Sequence, residues 1–239
     1  MTAVLRQAPL PLEFGAARRF DNFIVGANGA ALQALRALAP AAPPVYLWGP
    51  AGSGKTHLLE AAAQAWCEDG GRVGAFGPDI ALPWTHDERR TLVVLDDCHA
   101  YDHARQHAAF TLFVEAAASA TPIIAAGNVP PVDLRLRDDL RSRLGWGLVY
   151  ALVPPVEADV RAALGRESAR RGIALSAEVL DYLLVHFERD LTHLMALLDR
   201  LDGYALAAQR TVTVPLLRRM LEQQGQGDVA AATARPPRV

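Results

Sequence analysis

The sequence predicts an α/β domain with a parallel sheet, followed by a small all-helical domain. Short apolar segments alternate with helical segments up to about residue 153, a pattern typical of parallel strands covered on both faces. The first of these strands leads into a glycine-rich turn and then a helix, as in phosphate-binding α/β domains. After Pro154-Pro155, apolar residues recur at helical spacing, which indicates a separate helical unit.

The elements follow from this patterning in chain order. Asn28 is expected to cap the first helix, because its side chain can accept from the first free backbone N–H groups. Helices are predicted over 29–39, 55–68, 104–118, 138–144 and 156–171, from Ser176, from Leu191 and over 213–224. Strands are predicted over 45–48, 72–76, 91–95, 122–126 and 147–152, with a weaker strand signal at 211–214.

These elements divide the chain into four parts. Residues 1–19 are expected to form a flexible arm, 20–153 the α/β domain, 156–224 the helical lid domain and 225–239 a disordered tail. The arm and the tail lack the apolar periodicity that a packed element needs.

Composition excludes several function classes. Half of the 239 residues are apolar and 21% are charged, which is typical of a folded globular protein. The net charge of −2 argues against nucleic-acid binding as the main function. Cys67 and Cys98 are the only cysteines, too few for a disulfide framework. Neither a membrane-spanning run nor a secretion signal is visible, so we expect a cytoplasmic protein.

Lysine is almost absent from the chain. Of 24 basic residues, 23 are arginine, and the single lysine is Lys55. A compact ammonium group and a planar guanidinium group are not interchangeable in a tight site. Either Lys55 is a chance survivor of a biased composition, or its position requires the smaller group.

The surroundings of Lys55 favour a required role. Residues 49–56 fit G-x-x-x-x-G-K-[ST], and they lie between a predicted strand and a predicted helix. Backbone N–H groups of such a loop surround phosphate oxygens, lysine reaches the β- and γ-phosphates, and the threonine hydroxyl binds Mg²⁺. The candidate nucleotide-binding residues here are Gly52, Ser53, Gly54, Lys55, Thr56 and His57.

Polar side chains follow two other predicted strands. Asp96 and Asp97 end the strand at 91–95, and Asn128 follows the strand at 122–126. Asp96 is expected to join Thr56 in holding Mg²⁺. Asp97 stands where many ATPases place a water-activating glutamate, and Asn128 is a candidate for contacting the γ-phosphate or the attacking water. Both segments can also be read as ordinary turns.

Arg143 is a candidate arginine finger, a residue that stabilises the transferring phosphoryl group of a neighbouring molecule. It lies in the segment 139–144, between the last two predicted strands. The alternative is an ordinary solvated arginine.

In combination, these motifs resemble the AAA+ ATPases, and more closely the family of the bacterial replication initiator DnaA. Residues 20–26, Phe-Asp-Asn-Phe-Ile-Val-Gly, resemble the segment that encloses adenine in that family. Residues 139–147 and 191–202 look like its shorter Hda branch, the regulatory inactivators of DnaA. The resemblance implies that Phe20, Val25 and the lid enclose the base of ADP or ATP.

The lid departs from the family at one position. Where relatives carry a nucleotide-contacting arginine, this chain has Thr192, and Arg189 lies three residues earlier. Arg189 is the candidate replacement.

The arm carries a second resemblance. Residues 7–12, Gln-Ala-Pro-Leu-Pro-Leu, resemble the hexapeptide that docks on the sliding clamp of DNA polymerase III, its β subunit. Gln7 offers an amide to a pocket rim, while Leu10 and Leu12 can enter an apolar pocket. A plain unstructured arm is the alternative. Only residues 225–239 follow the predicted lid, so we expect no DNA-binding domain like that of DnaA and no sequence-specific DNA binding.

The resemblance implies a negative regulator of replication initiation that docks on the clamp and promotes ATP hydrolysis by DnaA. Its own ATPase activity would be weak at most, and a homo-oligomer is possible. The alternative is a self-contained AAA+ ATPase or helicase loader whose own turnover performs work.

Overall fold

The computed structural model describes residues 18–85, 87, 89–186, 191–208 and 210–222, leaving aside the side chains of 191–193. Within these ranges the chain forms two compact units, one over Ala17–Val160 and one from Arg161 onward. The first is an α/β unit and the second is helical.

A five-stranded, fully parallel sheet forms the centre of the α/β unit. Its strands are β1 (Val45–Trp48), β2 (Val73–Phe76), β3 (Leu92–Leu95), β4 (Ile123–Gly127) and β5 (Leu148–Ala151). They lie in the order β2-β3-β4-β1-β5. The three central strands are apolar and almost wholly buried, because helices cover both faces of the sheet.

Helices α1 (Gly29–Arg36), α2 (Lys55–Glu68), α3 (His103–Ala118) and α4 (Asp138–Gly145) surround this sheet. The helix α2 packs on one face, where Leu58 and Leu59 join Leu47 and Ile124 in a buried cluster. The helices α3 and α4 bury Leu112 and Leu140 in a second cluster. The two buried clusters fasten the helices to the two faces of the sheet.

The helical unit contains most of α5 (Glu157–Arg170), together with α6 (Ala177–His186), α7 (Leu191–Ala208) and α8 over 214–222. Its buried centre is rich in leucine, as the apolar spacing predicts, and includes Leu164, Val179, Leu183, Leu184, Leu194, Leu197, Leu198, Leu201, Leu217 and Met220. Arg171 pairs with both Glu167 and Asp199 beside this centre.

The predicted fold class is confirmed, and two local predictions are wrong. Residues 211–213 form no strand, since they only lead into α8. Asn28 does not cap α1 with its side chain. Instead its amide donates to the Val153 carbonyl at 2.9 Å and accepts from the Val153 N–H at 2.9 Å. The Asn28 amide thus joins the start of α1 to the backbone that follows β5, and it makes no side-chain bond to the first N–H groups of the helix.

Candidate functional site

The carboxyl ends of β1, β3 and β4 bring three of the predicted segments to one edge of the sheet. Trp48 pairs with Gly127, and Leu95 pairs with Ala125. The next residues along these strands therefore lie at the same edge. They are the start of the glycine-rich loop, the Asp96-Asp97 pair and Asn128.

The glycines of the loop are required by its backbone path. Gly52 and Gly54 have φ angles of +74° and +92°, a region that disfavours other residues. A Cβ at Gly54 would lie 2.7 Å from the ring of Phe23, and one at Gly49 would lie 2.5 Å from the Leu152 carbonyl. The loop is thus closed in by neighbouring segments, with its N–H groups at the start of α2.

Lys55 lies inside this loop. Its side chain is buried, and its Nζ donates to the carbonyls of Gly49 and Pro50 at 2.8 and 2.9 Å. Burial lowers the pKa of Lys55, an effect that Asp97 and Asp96 oppose. The ammonium group is therefore held at the loop by the two carbonyls, within the electrostatic influence of Asp97 and Asp96.

Ser53 adds a feature that sequence reasoning did not distinguish. Its side chain is buried, and within the described part of the chain its Oγ has no hydrogen-bond partner. Buried polar groups normally have a partner. A buried hydroxyl without a partner in the glycine-rich loop is consistent with an oxyanion ligand.

Thr56 and Asp96 lie close to each other at this edge of the sheet. The Oδ1 atom of Asp96 accepts from the Asp97 N–H at 2.8 Å. Burial raises the pKa of Asp96, with Thr56 acting in the opposite direction. A hydroxyl and a carboxylate are hard oxygen ligands of the kind Mg²⁺ prefers. The two residues thus fit the metal role predicted for them.

Asp97 and Asn128 lie at the open side of the same edge. Asp97 has a left-handed backbone (φ +47°), uncommon for a residue other than glycine. Its half-exposed carboxylate lies 3.9 Å from the His99 Nδ1. Asn128 is exposed directly after β4. Both side chains are accessible to a ligand or to water at this edge.

The segment predicted to enclose the base separates into two parts. Val25 is exposed in a turn closed by the bond from the Asn28 N–H to its carbonyl, 2.7 Å. Because Asn28 also binds Val153, that turn is fixed beside the segment that follows β5. Phe20 lies elsewhere, with Arg36 over its ring at 5.6 Å, and lines a cavity of about 260 Å³ against α2.

His57 serves to hold the same N-terminal segment. Its Nε2 lies 2.9 Å from the Arg19 carbonyl, and its ring is 5.4 Å from that of Phe23. Burial lowers the pKa of His57. His57 therefore contacts the Arg19 carbonyl and the Phe23 ring. Phe23, which the sequence pattern did not single out, packs against the glycine-rich loop at Gly54.

Arg143 lies far from this site, near the opposite edge of the sheet. It is in the last turn of α4, shortly before β5, and β5 begins beside Val45 at the amino end of β1. A four-residue strand is about 13 Å long, so the strand length separates the two edges. The Arg143 guanidinium lies 5.9 Å from the Phe110 ring centre and forms no ion pair with any described residue.

Several candidates fall outside the described residues. These are Gln7, Leu10, Leu12 and Arg189, while Thr192 lies in α7 with its side chain undescribed. In the described part of the chain, no group of three metal-ligating side chains occurs and no helix is long and apolar enough to cross a membrane.

Family models match both units. A model of the Hda lid domain matches residues 157–221, and a model of the bacterial DnaA ATPase domain matches residues 15–72. The first match covers the predicted lid, and the second covers the segment that contains the glycine-rich loop.

Solved structures share the fold. Domain III of the Thermotoga maritima initiation protein DnaA aligns with a TM-score of 0.68 at 22% identity, covering 90% of this chain and 98% of that one. AMPPCP-bound DnaA from Aquifex aeolicus aligns with a TM-score of 0.65 at 21% identity, covering 91% and 71%. A RuvB from Thermotoga maritima aligns with a TM-score of 0.65 at 16% identity, covering 88% and 72%. The chain is therefore an Hda-like AAA+ protein related to the bacterial initiator DnaA.

Proposed function

We propose that this protein is a nucleotide-bound negative regulator of replication initiation, which docks on the sliding clamp and promotes ATP hydrolysis by DnaA. The position of Arg143 is the observation that carries the proposal. It lies near the sheet edge opposite the protein's own phosphate loop, and it makes no described ion pair. An arginine placed there is too far from the nucleotide in its own chain and is free to reach one bound by another molecule.

The protein's own nucleotide, ADP or ATP, has a structural role in this proposal. The loop N–H groups and Lys55 hold the phosphates, while Thr56 and Asp96 supply ligands for Mg²⁺. Val25, fastened by Asn28, contacts the base. Bound nucleotide fixes the N-terminal segment and the loop in one arrangement, and thereby supports the shape that the partner recognises.

Slow turnover of that nucleotide is consistent with the chain. Asp97 is one methylene shorter than the glutamate that commonly activates water, and its half-exposed carboxylate is accessible to bulk solvent. With Asn128 it supplies the polar groups that a slow reaction would use. Stimulated hydrolysis therefore takes place in the partner, where Arg143 stabilises the charge on the transferring phosphoryl group.

Clamp docking rests on the sequence of the arm. Gln7, Leu10 and Leu12 provide the amide and the two apolar side chains of the docking hexapeptide. Binding to a clamp on DNA concentrates the regulator near initiator on the same DNA, which raises the rate of encounter by local concentration.

Single-turnover hydrolysis of ATP pre-bound to DnaA, with clamp on DNA, tests the proposal. We expect Arg143→Ala to retain nucleotide binding and clamp binding. It should reduce stimulation by a factor approaching the roughly 10³–10⁵ known for arginine fingers. Arg143→Lys should not rescue, since an ammonium group lacks the planar fork. Arg141→Ala is the matched control, because Arg141 pairs with Asp138 at 2.7 Å on the same helix.

The same assay distinguishes the alternative. In a self-contained ATPase or helicase loader, Arg143→Ala would instead impair the protein's own hydrolysis in its homo-oligomer. Full stimulation of DnaA by the Arg143→Ala protein would refute the finger assignment.

A further inference from the structure

We infer that a cavity beside Arg143 receives an apolar side chain of the partner, with Trp146 as the anchor of the contact. The cavity has a volume of about 330 Å³ and lies within the α/β unit. Pro43 and Pro44 form one side, Phe113 and Ala117 of α3 another, and Arg143 and Trp146 complete the lining. The inference deepens the proposed function and rests on it.

Trp146 is the largest exposed apolar group in the described chain, with 74% of its surface accessible. It follows Arg143 by three residues at the end of α4. Tryptophan and arginine are the residue types most enriched among the side chains that dominate binding energy at protein interfaces. An exposed tryptophan and a half-buried arginine around an apolar recess have the composition of an interface centre.

The backbone around the cavity is held in an unfavourable conformation. Ala41 and Ala120, both in its lining, have φ angles of +61° and +53°. The N–H of Ala41 donates to the carbonyl of Ala120 at 2.8 Å, which joins the two strained residues. Non-glycine residues adopt this region at a cost, and such positions cluster at binding sites. The cavity is therefore bordered by two residues with a left-handed backbone, Ala41 and Ala120, which are hydrogen-bonded to each other.

Charge identifies the occupant. The carboxylates near Arg143 are already used, since Asp138 pairs with Arg141 and Asp139 with Arg137. With no ion pair to a described residue, Arg143 presents its positive charge at the rim of an apolar recess. The surface that complements it carries an apolar side chain next to an anion. The nucleotide-bearing edge of the AAA+ partner supplies that anion, and reaching it with Arg143 places the partner over this cavity.

Trp146 and Arg143 have separate effects on the partner. Trp146 and the cavity determine how tightly the partner binds, whereas Arg143 determines how fast its nucleotide is hydrolysed once bound. A variant of the cavity should therefore change the concentration needed for half-maximal stimulation. It should leave the maximal rate near that of the parent protein, because Arg143 is intact.

Two variants of the full chain, Ala117→Phe and Trp146→Ala, test this. Ala117→Phe fills the cavity from an exposed position on α3. Ala118→Phe is its control, because it places the same ring on the next residue, which does not line the cavity. Trp146→Ala removes the anchor from the surface, where loss of folding is not expected. Nucleotide affinity of each variant reports an intact α/β unit.

Binding is measured to clamp-associated DnaA loaded with a non-hydrolysable ATP analogue, and stimulation is measured separately with ATP. We expect Ala117→Phe and Trp146→Ala each to weaken binding by about tenfold to a hundredfold, while Ala118→Phe binds like the parent.

Parent-like binding by both cavity variants, with the parent itself active, overturns this inference and leaves the proposed function standing. A parent chain that neither binds nor stimulates DnaA overturns both. Loss of self-association in place of initiator binding assigns the cavity to a second copy and also overturns the inference.

Discussion

Replacing Lys55 with alanine tests the phosphate-binding assignment at its centre. The variant removes the only lysine in the chain from a buried position inside the glycine-rich loop. Among the described residues, its Nζ forms hydrogen bonds with two neutral carbonyls, those of Gly49 and Pro50, at 2.8 and 2.9 Å. A phosphate oxygen offers the same ammonium group a stronger, charge-assisted bond.

The size of the effect follows from these contacts. Hydrogen bonds to charged groups contribute about 1.5–3 kcal/mol, which corresponds to roughly tenfold to 150-fold in affinity. Moving toward a phosphate costs Lys55 its bonds to the loop carbonyls, so part of the gain is offset. We therefore expect Lys55→Ala to weaken ADP and ATP binding by at least about tenfold.

Isothermal titration calorimetry measures this directly, with Lys55→Arg as the matched variant that keeps the charge. We expect Lys55→Arg also to bind more weakly, because the larger planar group does not fit the buried position. As a second readout, bound nucleotide should protect this sole side-chain amine from acylation. Unchanged affinity of Lys55→Ala would refute the phosphate-loop assignment, whatever the behaviour of the arginine variant.

Three further predictions use other parts of the chain. Gln7→Ala with Leu10→Ala should abolish clamp binding in a pull-down and leave nucleotide affinity unchanged; retained clamp binding would disprove the docking hexapeptide. Gly54→Ala should weaken nucleotide binding, because its Cβ would meet a phenylalanine ring at 2.7 Å and its φ is +92°; parent-like affinity would show that the loop can move aside. Hydrogen bonds, of which the one from Arg170 has the largest effect, lower the pKa of Glu167 to about 2. The ionised Glu167 therefore stabilises the folded state above the ordinary carboxyl pKa, and this stabilisation is lost as the pH falls toward 2. Glu167→Gln should accordingly lower the melting temperature at pH 7 and flatten its decline in acid, whereas parallel curves for variant and parent would contradict the assigned pairing.

Strand positions and the phosphate loop could be predicted from local pattern. Val45–Trp48 and Lys55–Glu68 lie where the periodicity and the glycine-rich motif predict them. Buried parallel strands are continuous apolar runs, and a phosphate loop needs glycine at fixed spacing, so both leave a signal within a few adjacent residues.

Side-chain partners distant in sequence left no such signal. The sequence predicted a helix cap at Asn28, but the fold places its amide on the backbone of Val153, 125 residues later. The family resemblance implied that Phe20 helps to enclose the base, and only the fold shows that Phe20 packs against Arg36 while Phe23 lies on Gly54. Each of these choices depends on which segments the sheet brings together.

The sequence by itself determined the α/β architecture and the glycine-rich loop, because those depend on residue types at short, fixed spacings, and its motifs carried the resemblance to the DnaA family. Only the tertiary structure decided that Arg143 stands at the opposite sheet edge from Lys55, and that Trp146 borders a cavity formed by three separate segments. The pairing of parallel strands determines which strand ends lie at the same edge of the sheet. Packing between segments that are distant in sequence determines which surfaces remain accessible to a partner.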